Sequence, residues 1–154
     1  MSTSQENLVV EVRFEIEKDS DGYPKSRDAE LLQCKPLNPE CSTCVVASVP
    51  FYLRNVAYGD TISTVDGPSG SLKFGDIVKR GGYSVYRILL HEASKQDELI
   101  SKLLNLQVLL ERDGNLIAIA VPPMADSDAV VDYLLEGKRA GLWGLQDGYI
   151  DGVS

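Results

Sequence analysis

Apolar residues recur at every second position near the start of the chain: Leu8, Val10, Val12, Phe14 and Ile16. The positions between them are mainly charged, and this period of two predicts a strand with one buried and one solvent-facing side over residues 8–17. Turns rich in Gly, Pro, Asp and Asn separate further short strands, predicted over residues 29–35, 43–49, 61–65, 72–74 and 77–78. Many short strands between turns indicate a small curled antiparallel β-sheet or partial barrel over residues 8–82.

Helical spacing appears in the second half of the chain. A strand is predicted over residues 84–91, and Ser94 then predicts a helix start because Asp97 follows three residues later. The apolar residues that follow are spaced as on one helix face: Leu99, Ile100, Leu103 and Leu104. This stripe predicts an amphipathic helix with one buried side.

A hairpin and a second helix complete the predicted elements. The turn at Asp113 and Gly114 lies between two apolar runs, which is a strong hairpin signal. Asp126 or Ser127 is expected to cap a helix that Gly141 ends, before a last strand. Read in order, these elements spell β-α-β-β-α-β, the arrangement of a ferredoxin-like unit.

We therefore predict an α+β fold in which a β subdomain of residues 8–82 packs on a ferredoxin-like subdomain of residues 83–154. A chain of 154 residues is too short for two independent domains of ordinary size. The two parts are expected to form one compact unit.

The net charge of the chain limits the classes of partner that it is expected to bind. The chain has 15 basic and 23 acidic residues and a net charge of −8, which repels nucleic-acid phosphates and anionic membrane surfaces. No run of apolar residues reaches the length of a membrane span, and the first residues are polar instead of following the layout of a signal peptide. We expect a cytoplasmic protein that binds neither nucleic acid nor membranes.

Two clusters have nearly the spacing of metal sites. Glu17, Asp19, Asp21 and Asp28 resemble a calcium-binding loop, but Pro24 and the flanking strands favour a solvated acidic turn. Three cysteines could provide part of a zinc site with His91 as the fourth ligand: Cys34, Cys41 and Cys44. Structural zinc usually shows two paired clusters, so reduced structural thiols are the preferred interpretation and no metal is predicted.

The common catalytic motifs are missing from the sequence. His91 is the single histidine, and the sequence has neither a nucleophile elbow nor a phosphate-binding glycine loop. The residues that common hydrolases and nucleotide-binding enzymes use are therefore missing. We predict a protein that is not an enzyme and needs no cofactor. An enzyme that uses carboxylates alone remains an alternative, because 23 acids offer many pairs.

Several short motifs together resemble a bacterial family of unknown function, domain-of-unknown-function family 4265. The matching segments are Glu17-Lys-Asp-Ser-Asp-Gly-Tyr-Pro24, Val49-Pro-Phe51, Val56-Ala-Tyr-Gly-Asp60, Gly82-Tyr-Ser-Val-Tyr-Arg87, Val121-Pro-Pro123 and Gly141-Leu-Trp-Gly144 before Asp147-Gly148. The resemblance covers roughly residues 8–150 and implies no catalytic residues. Its profile of small, acidic, stand-alone bacterial proteins is similar to that of immunity proteins that neutralise toxins.

These observations lead to one main functional hypothesis and, besides the enzyme that uses carboxylates alone, one further alternative. The first is an immunity protein that captures a basic toxin domain through an acidic patch with aromatic anchors. The candidate partner-binding residues are Glu15, Glu17, Asp19, Asp21, Tyr23, Asp60 and Trp143. The alternative is a regulatory module that binds a small molecule, since ferredoxin-like units often carry such sites. For Trp143, and for Tyr58 beside Gly59, internal packing is the competing interpretation.

Overall fold

Five strands close into a barrel in the first half of the chain. The computed structural model describes residues 8–18, 20 and 27–152. The barrel strands are β1 (Val10–Glu15), β2 (Ala29–Pro36), β3 (Thr43–Val46), β4 (Thr61–Asp66) and β5 (Leu72–Lys79). The predicted curled or partly open antiparallel sheet is therefore a closed barrel, and its closing pair, β1 with β5, is parallel. Strands in a five-membered meander alternate in direction, so the first and the fifth run the same way.

The alternation of apolar residues explains the barrel interior. Val12, Phe14 and Leu32 point inward from β1 and β2 and are buried, whereas the residues between them are exposed. The ring of Phe14 stacks on Phe74 of β5 at a centroid distance of 4.7 Å. The prediction of two separate strands over residues 72–74 and 77–78 is wrong. One uninterrupted strand, β5, covers both ranges, and its pairing with β4 contains register shifts.

The second half forms a four-stranded antiparallel sheet with two helices. Its elements are β6 (Ser84–Leu90), α1 (Gln96–Asn105), β7 (Leu109–Asp113), β8 (Leu116–Val121), α2 (Ser127–Arg139) and β9 (Trp143–Tyr149). The strands lie in the order β7-β8-β6-β9, and every neighbouring pair is antiparallel. The fold class is therefore α+β, as predicted.

The two helices bury their apolar stripes on one face of this sheet. Leu99 and Leu103 of α1, with Val130 and Leu134 of α2, share a core with inward residues of β6 and β8 such as Ile88. Within the described ranges, neither helix is long and apolar enough to span a membrane.

The ends of the helices follow the predicted signals in part. Asp126 caps α2 by accepting a hydrogen bond from the Ala129 N–H at 3.1 Å, and Gly141 follows the helix end with a positive φ. The predicted start of α1 at Ser94 is wrong. Ala93–Lys95 form a short 3-10 turn, α1 begins at Gln96, and no side chain caps it.

The opposite face of the sheet meets the barrel. Val85, Ala118 and Ala120 lie on this face and form a small buried cluster with Val49 and Ala57 from the segment between β3 and β4. Because alanine side chains are short, this segment approaches the sheet closely. The barrel covers only part of the face, and farther along β6 the side chain of Leu89 is exposed.

Candidate functional site

A cleft of about 460 Å³ lies where the barrel stops covering the sheet. On one side it is lined by Phe51, Tyr52 and Arg54 from the segment between β3 and β4. On the other side it is lined by the sheet, including Arg87 and Leu89 of β6. The volume is within the range of small-molecule sites. Apolar and charged groups therefore share one concave surface.

Arg87 is the least expected residue in this cleft. It interrupts an apolar strand and is only 2% exposed. Its Nε donates to Gln146 Oε1 at 3.1 Å, and its Nη1 donates to the Pro50 carbonyl oxygen at 3.2 Å. The third nitrogen, Nη2, is buried and has no hydrogen-bond partner among the described residues. Buried donors in proteins are rarely left unpaired.

The electrostatic surroundings of Arg87 are mixed. Burial lowers its pKa to about 10, the negative charges of Glu30 and Asp147 oppose that shift, and the positive charge of Arg54 adds to it. No described residue forms a salt bridge with Arg87 or with Arg54. Two arginines therefore line the cleft, and among the described residues neither has a carboxylate within salt-bridge distance.

Glu30 does not provide that carboxylate because its oxygens hold the backbone. Oε2 accepts a hydrogen bond from the Phe51 N–H at 2.8 Å, and Oε1 accepts one from the Tyr52 N–H at 3.0 Å. Burial raises the pKa of Glu30, while these two hydrogen bonds and the charge of Arg87 oppose the shift. Glu30 therefore fixes the wall of the cleft.

Gly148 of β9 gives the Arg87 guanidinium its space. A Cβ atom at this position would lie 2.8 Å from Nη1 of Arg87 and 3.2 Å from Nη2. Any side chain here would displace the arginine. The position of Arg87 therefore depends on a glycine from a neighbouring strand.

A second buried charge cluster lies at the same junction, and both carboxylate oxygens of its acid, Asp60, already accept hydrogen bonds. Asp60 is fully buried, and its Oδ2 accepts hydrogen bonds from Arg80 Nη1 at 2.8 Å and the Ala57 N–H at 3.0 Å. Its Oδ1 accepts one from the Gly81 N–H at 3.0 Å. Arg80 also donates to the Asn55 carbonyl oxygen and lies over the ring of Tyr149 at 4.0 Å. These contacts give Asp60 a structural role.

The candidate residues from the sequence fall into three groups. Glu15 and Glu17 are exposed, and Glu17 also lines the cleft. Asp60 and Trp143 are buried, so neither presents a surface to a partner; Nε1 of Trp143 donates to the Leu134 carbonyl oxygen at 2.9 Å. The remaining candidates lie outside the described residues: Asp19, Asp21 and Tyr23.

The cysteines form no metal site in the described part of the chain. Within it, no group of three or more His, Cys, Asp and Glu side chains is placed to share a metal ion. Cys34 and Cys44 are buried and free, and burial, followed by the proximity of Cys44, raises the pKa of Cys34 to about 12. His91 lies elsewhere, with its Nδ1 2.8 Å from the Gly141 carbonyl oxygen.

Sequence reasoning missed Arg87 and Glu30, although both left a signal. Glu30 shares the inward parity of Leu32 and Cys34 on β2, which places a carboxylate on the buried side of a strand. Arg87 stands alone among apolar residues of β6. A charged residue at an inward position of an apolar strand predicts a specific partner or a functional site.

Comparisons with known proteins add a family and a fold. The family model described as "Domain of unknown function (DUF4265)" matches residues 32–145. A crystal structure of a hypothetical protein from Neisseria gonorrhoeae is similar with a TM-score of 0.75 and 15% sequence identity, covering 94% of this chain and 98% of that chain. At this identity the likeness shows a shared fold. No curated protein matches the chain.

Proposed function

The chain belongs to the DUF4265 family, and we propose that it is a non-enzymatic module that binds a small anion in the cleft between barrel and sheet. The observation that carries the proposal is Arg87, which lines the cleft and whose buried Nη2 has no hydrogen-bond partner among the described residues. An unpaired buried donor costs about 1–3 kcal/mol, more for a charged group, and an anion at Nη2 would recover that cost.

Arg54 supports the same proposal. Arg54 lines the same cleft, and its repulsion lowers the pKa of Arg87, while the negative charges of Glu30 and Asp147 raise that pKa. An anion between two cations converts this repulsion into two attractions. Arg54 is exposed and can adjust to a ligand, whereas Arg87 is fixed by Gln146 and Pro50.

Titration of the protein with simple anions tests the proposal. We expect sodium acetate or sodium phosphate to shift the NMR signals of the Arg54 and Arg87 guanidinium groups and the amide of Gln146, with saturation. Arg54→Gln should weaken this binding about tenfold, in line with a charge-assisted contact of about 1.4 kcal/mol.

Arg139→Gln provides the matched control, because Arg139 is an exposed arginine in the last turn of α2, outside the cleft. Its anion binding should equal that of the unmodified protein. Signals at the cleft that do not respond to any anion, or an equal loss in both variants, would refute the proposal.

We also infer that the second subdomain is ferredoxin-like. Two features support this assignment: the chain order β-α-β-β-α-β from Ser84 to Tyr149, and the strand order with β6 and β8 in the centre. In this arrangement both helices cover one sheet face, and the other face is left for the barrel and the cleft.

An immunity protein acting in the cytoplasm is the second candidate function. It is favoured by the exposed acids Glu11, Glu15 and Glu17, which outnumber the salt-bridged Arg13 on the outer side of β1 and the residues after it, together with the net charge of −8. Such an acidic strip suits capture of a basic toxin domain.

Coexpression with the product of a neighbouring toxin gene tests this second candidate. We expect the intact protein to protect cells, and Glu15→Lys with Glu17→Lys to abolish protection. Glu40→Lys is the control because Glu40 is exposed in the β2–β3 connection. Full protection by the double variant, or the lack of any toxin that the intact protein neutralises, would count against an immunity role for this strip.

A further inference from the structure

Resting on the proposed anion site, we infer that its ligand is a monocarboxylate with an apolar body, of the kind represented by a medium-chain fatty acid. The carboxylate would pair with Arg54 and with the guanidinium of Arg87, reaching Nη2 once the groups that cover this buried nitrogen shift. The apolar body would lie along the sheet over Leu89 and Leu116.

The charges of the cleft favour a single negative charge on the ligand. Arg54 and Arg87 supply two positive charges, and Glu17 and Asp113 line the same cleft with two negative charges. A dianion such as phosphate would gain little from a lining whose formal charges cancel, and it would be repelled by both acids. A monoanion can stay at the arginine end.

The hydrogen-bonding capacity of Arg87 also favours a carboxylate. Its Nε donates to Gln146 and one of the two N–H groups of Nη1 donates to Pro50, so Nη2 is the nitrogen that has no acceptor among the described residues. Phosphate sites normally offer several donors around three oxygens, often from backbone N–H groups. One nitrogen of Arg87 and one mobile arginine fit the two oxygens of a carboxylate.

Leu89 provides the reason for an apolar body. It points to the same side of β6 as Arg87, two residues and about 7 Å farther along the strand. Its side chain is 55% exposed, and Leu116, its register partner on β8, also lines the cleft. Phe51 faces them from the opposite wall. An alkyl or aryl group that starts at Arg87 would remove this apolar surface from water.

Calorimetric titration with sodium acetate, butyrate, hexanoate, octanoate and phosphate tests the inference on the full chain. We expect affinity to rise with chain length, by about three- to fourfold for each buried CH₂, and phosphate to bind more weakly than octanoate. Leu89→Ser should lower octanoate affinity about tenfold and acetate affinity by much less.

Leu104→Ser is the matched control because Leu104 has the same 55% exposure but lies on α1, outside the cleft. It should leave every affinity unchanged. Equal affinities across the chain-length series, tighter binding of phosphate, or octanoate binding that survives Leu89→Ser would overturn the inference and leave the anion site standing. Failure of all five anions to bind would refute both proposals.

Discussion

Two arginines lie at the junction between the barrel and the sheet, and they differ in how completely they are paired. Arg80 contacts the buried carboxylate of Asp60, the Asn55 carbonyl oxygen and the ring of Tyr149. Arg87 is more deeply buried, and its acceptors among the described residues are the neutral oxygens of Gln146 and Pro50. Charge compensation is therefore better at the more exposed of the two sites.

This difference separates an arginine in a structural ion pair from an arginine that still has a nitrogen free for a ligand. Asp60 also accepts hydrogen bonds from the N–H groups of Ala57 and Gly81, so the pair ties the β3–β4 connection to the β5–β6 connection. Glu30 is the acid whose charge most affects Arg87, and both of its carboxylate oxygens accept hydrogen bonds from backbone N–H groups. The pair of Asp60 and Arg80 stabilises the fold, whereas Nη2 of Arg87 has no acceptor among the described residues and can serve a ligand.

Asp60→Ala should have the largest effect on stability. The substitution leaves Arg80 and two backbone N–H groups at the junction without their acceptor, for an expected loss of about 3 kcal/mol in the free energy of unfolding. Urea denaturation followed by circular dichroism measures this loss. Asp66→Ala, at an exposed position of β4, should change stability by less than about 0.5 kcal/mol. Equal effects of the two substitutions would remove the structural role of Asp60.

Arg87→Met should have a smaller effect on stability and a complete effect on binding. Methionine is apolar, flexible and of similar length, and replacing an incompletely compensated buried charge by an apolar side chain is often nearly neutral. We expect a change within about 1 kcal/mol, with no stabilisation by octanoate. For the unmodified protein, octanoate at 100 times its Kd should add about 2.7 kcal/mol.

The same denaturation experiment with and without octanoate measures both quantities. If Arg87→Met destabilises the protein as much as Asp60→Ala, the contrast between the two sites disappears and Arg87 is a structural residue. If the variant still gains stability from octanoate, the ligand binds elsewhere.

The fold was predictable where one residue pattern decides a local structure. The alternation in β1, the Asp113-Gly114 turn and the cap at Asp126 all led to elements present in the structure. Closure of the barrel was not predictable in this way. It depends on pairing between β1 and β5, which are far apart in sequence, and the pattern within either strand carries no information about that partner.

The candidate site was less predictable than the fold. It is formed by contacts between distant segments, such as Arg87 with Pro50 and the Val49 N–H with Glu111. Acidic and aromatic residues were predicted to bind a partner because they are frequent at interfaces, yet Asp60 and Trp143 are buried. A single charged residue within an apolar strand was the more informative signal.

Glu30→Gln should give the smallest effect, seen in the pH dependence of stability. Because the pKa of Glu30 is raised in the folded state, folding favours its protonated form. That contribution is fully present below the unfolded value of about 4.3 and is lost as the pH rises through the folded pKa. Glutamine does not titrate, so the stability of the unmodified protein relative to the variant should fall as the pH rises above about 4.

Urea denaturation at several pH values measures this difference, with Glu40→Gln as the control. Glu40 is exposed, and its substitution should shift stability by a small amount that does not vary with pH. A relative stability of the unmodified protein that rises with pH would show that the contacts of Glu30 with Phe51, Tyr52 and Arg87 outweigh its burial. In that case Glu30 and Arg87 act as a compensated pair like Asp60 and Arg80, and the case for a ligand at Nη2 weakens accordingly.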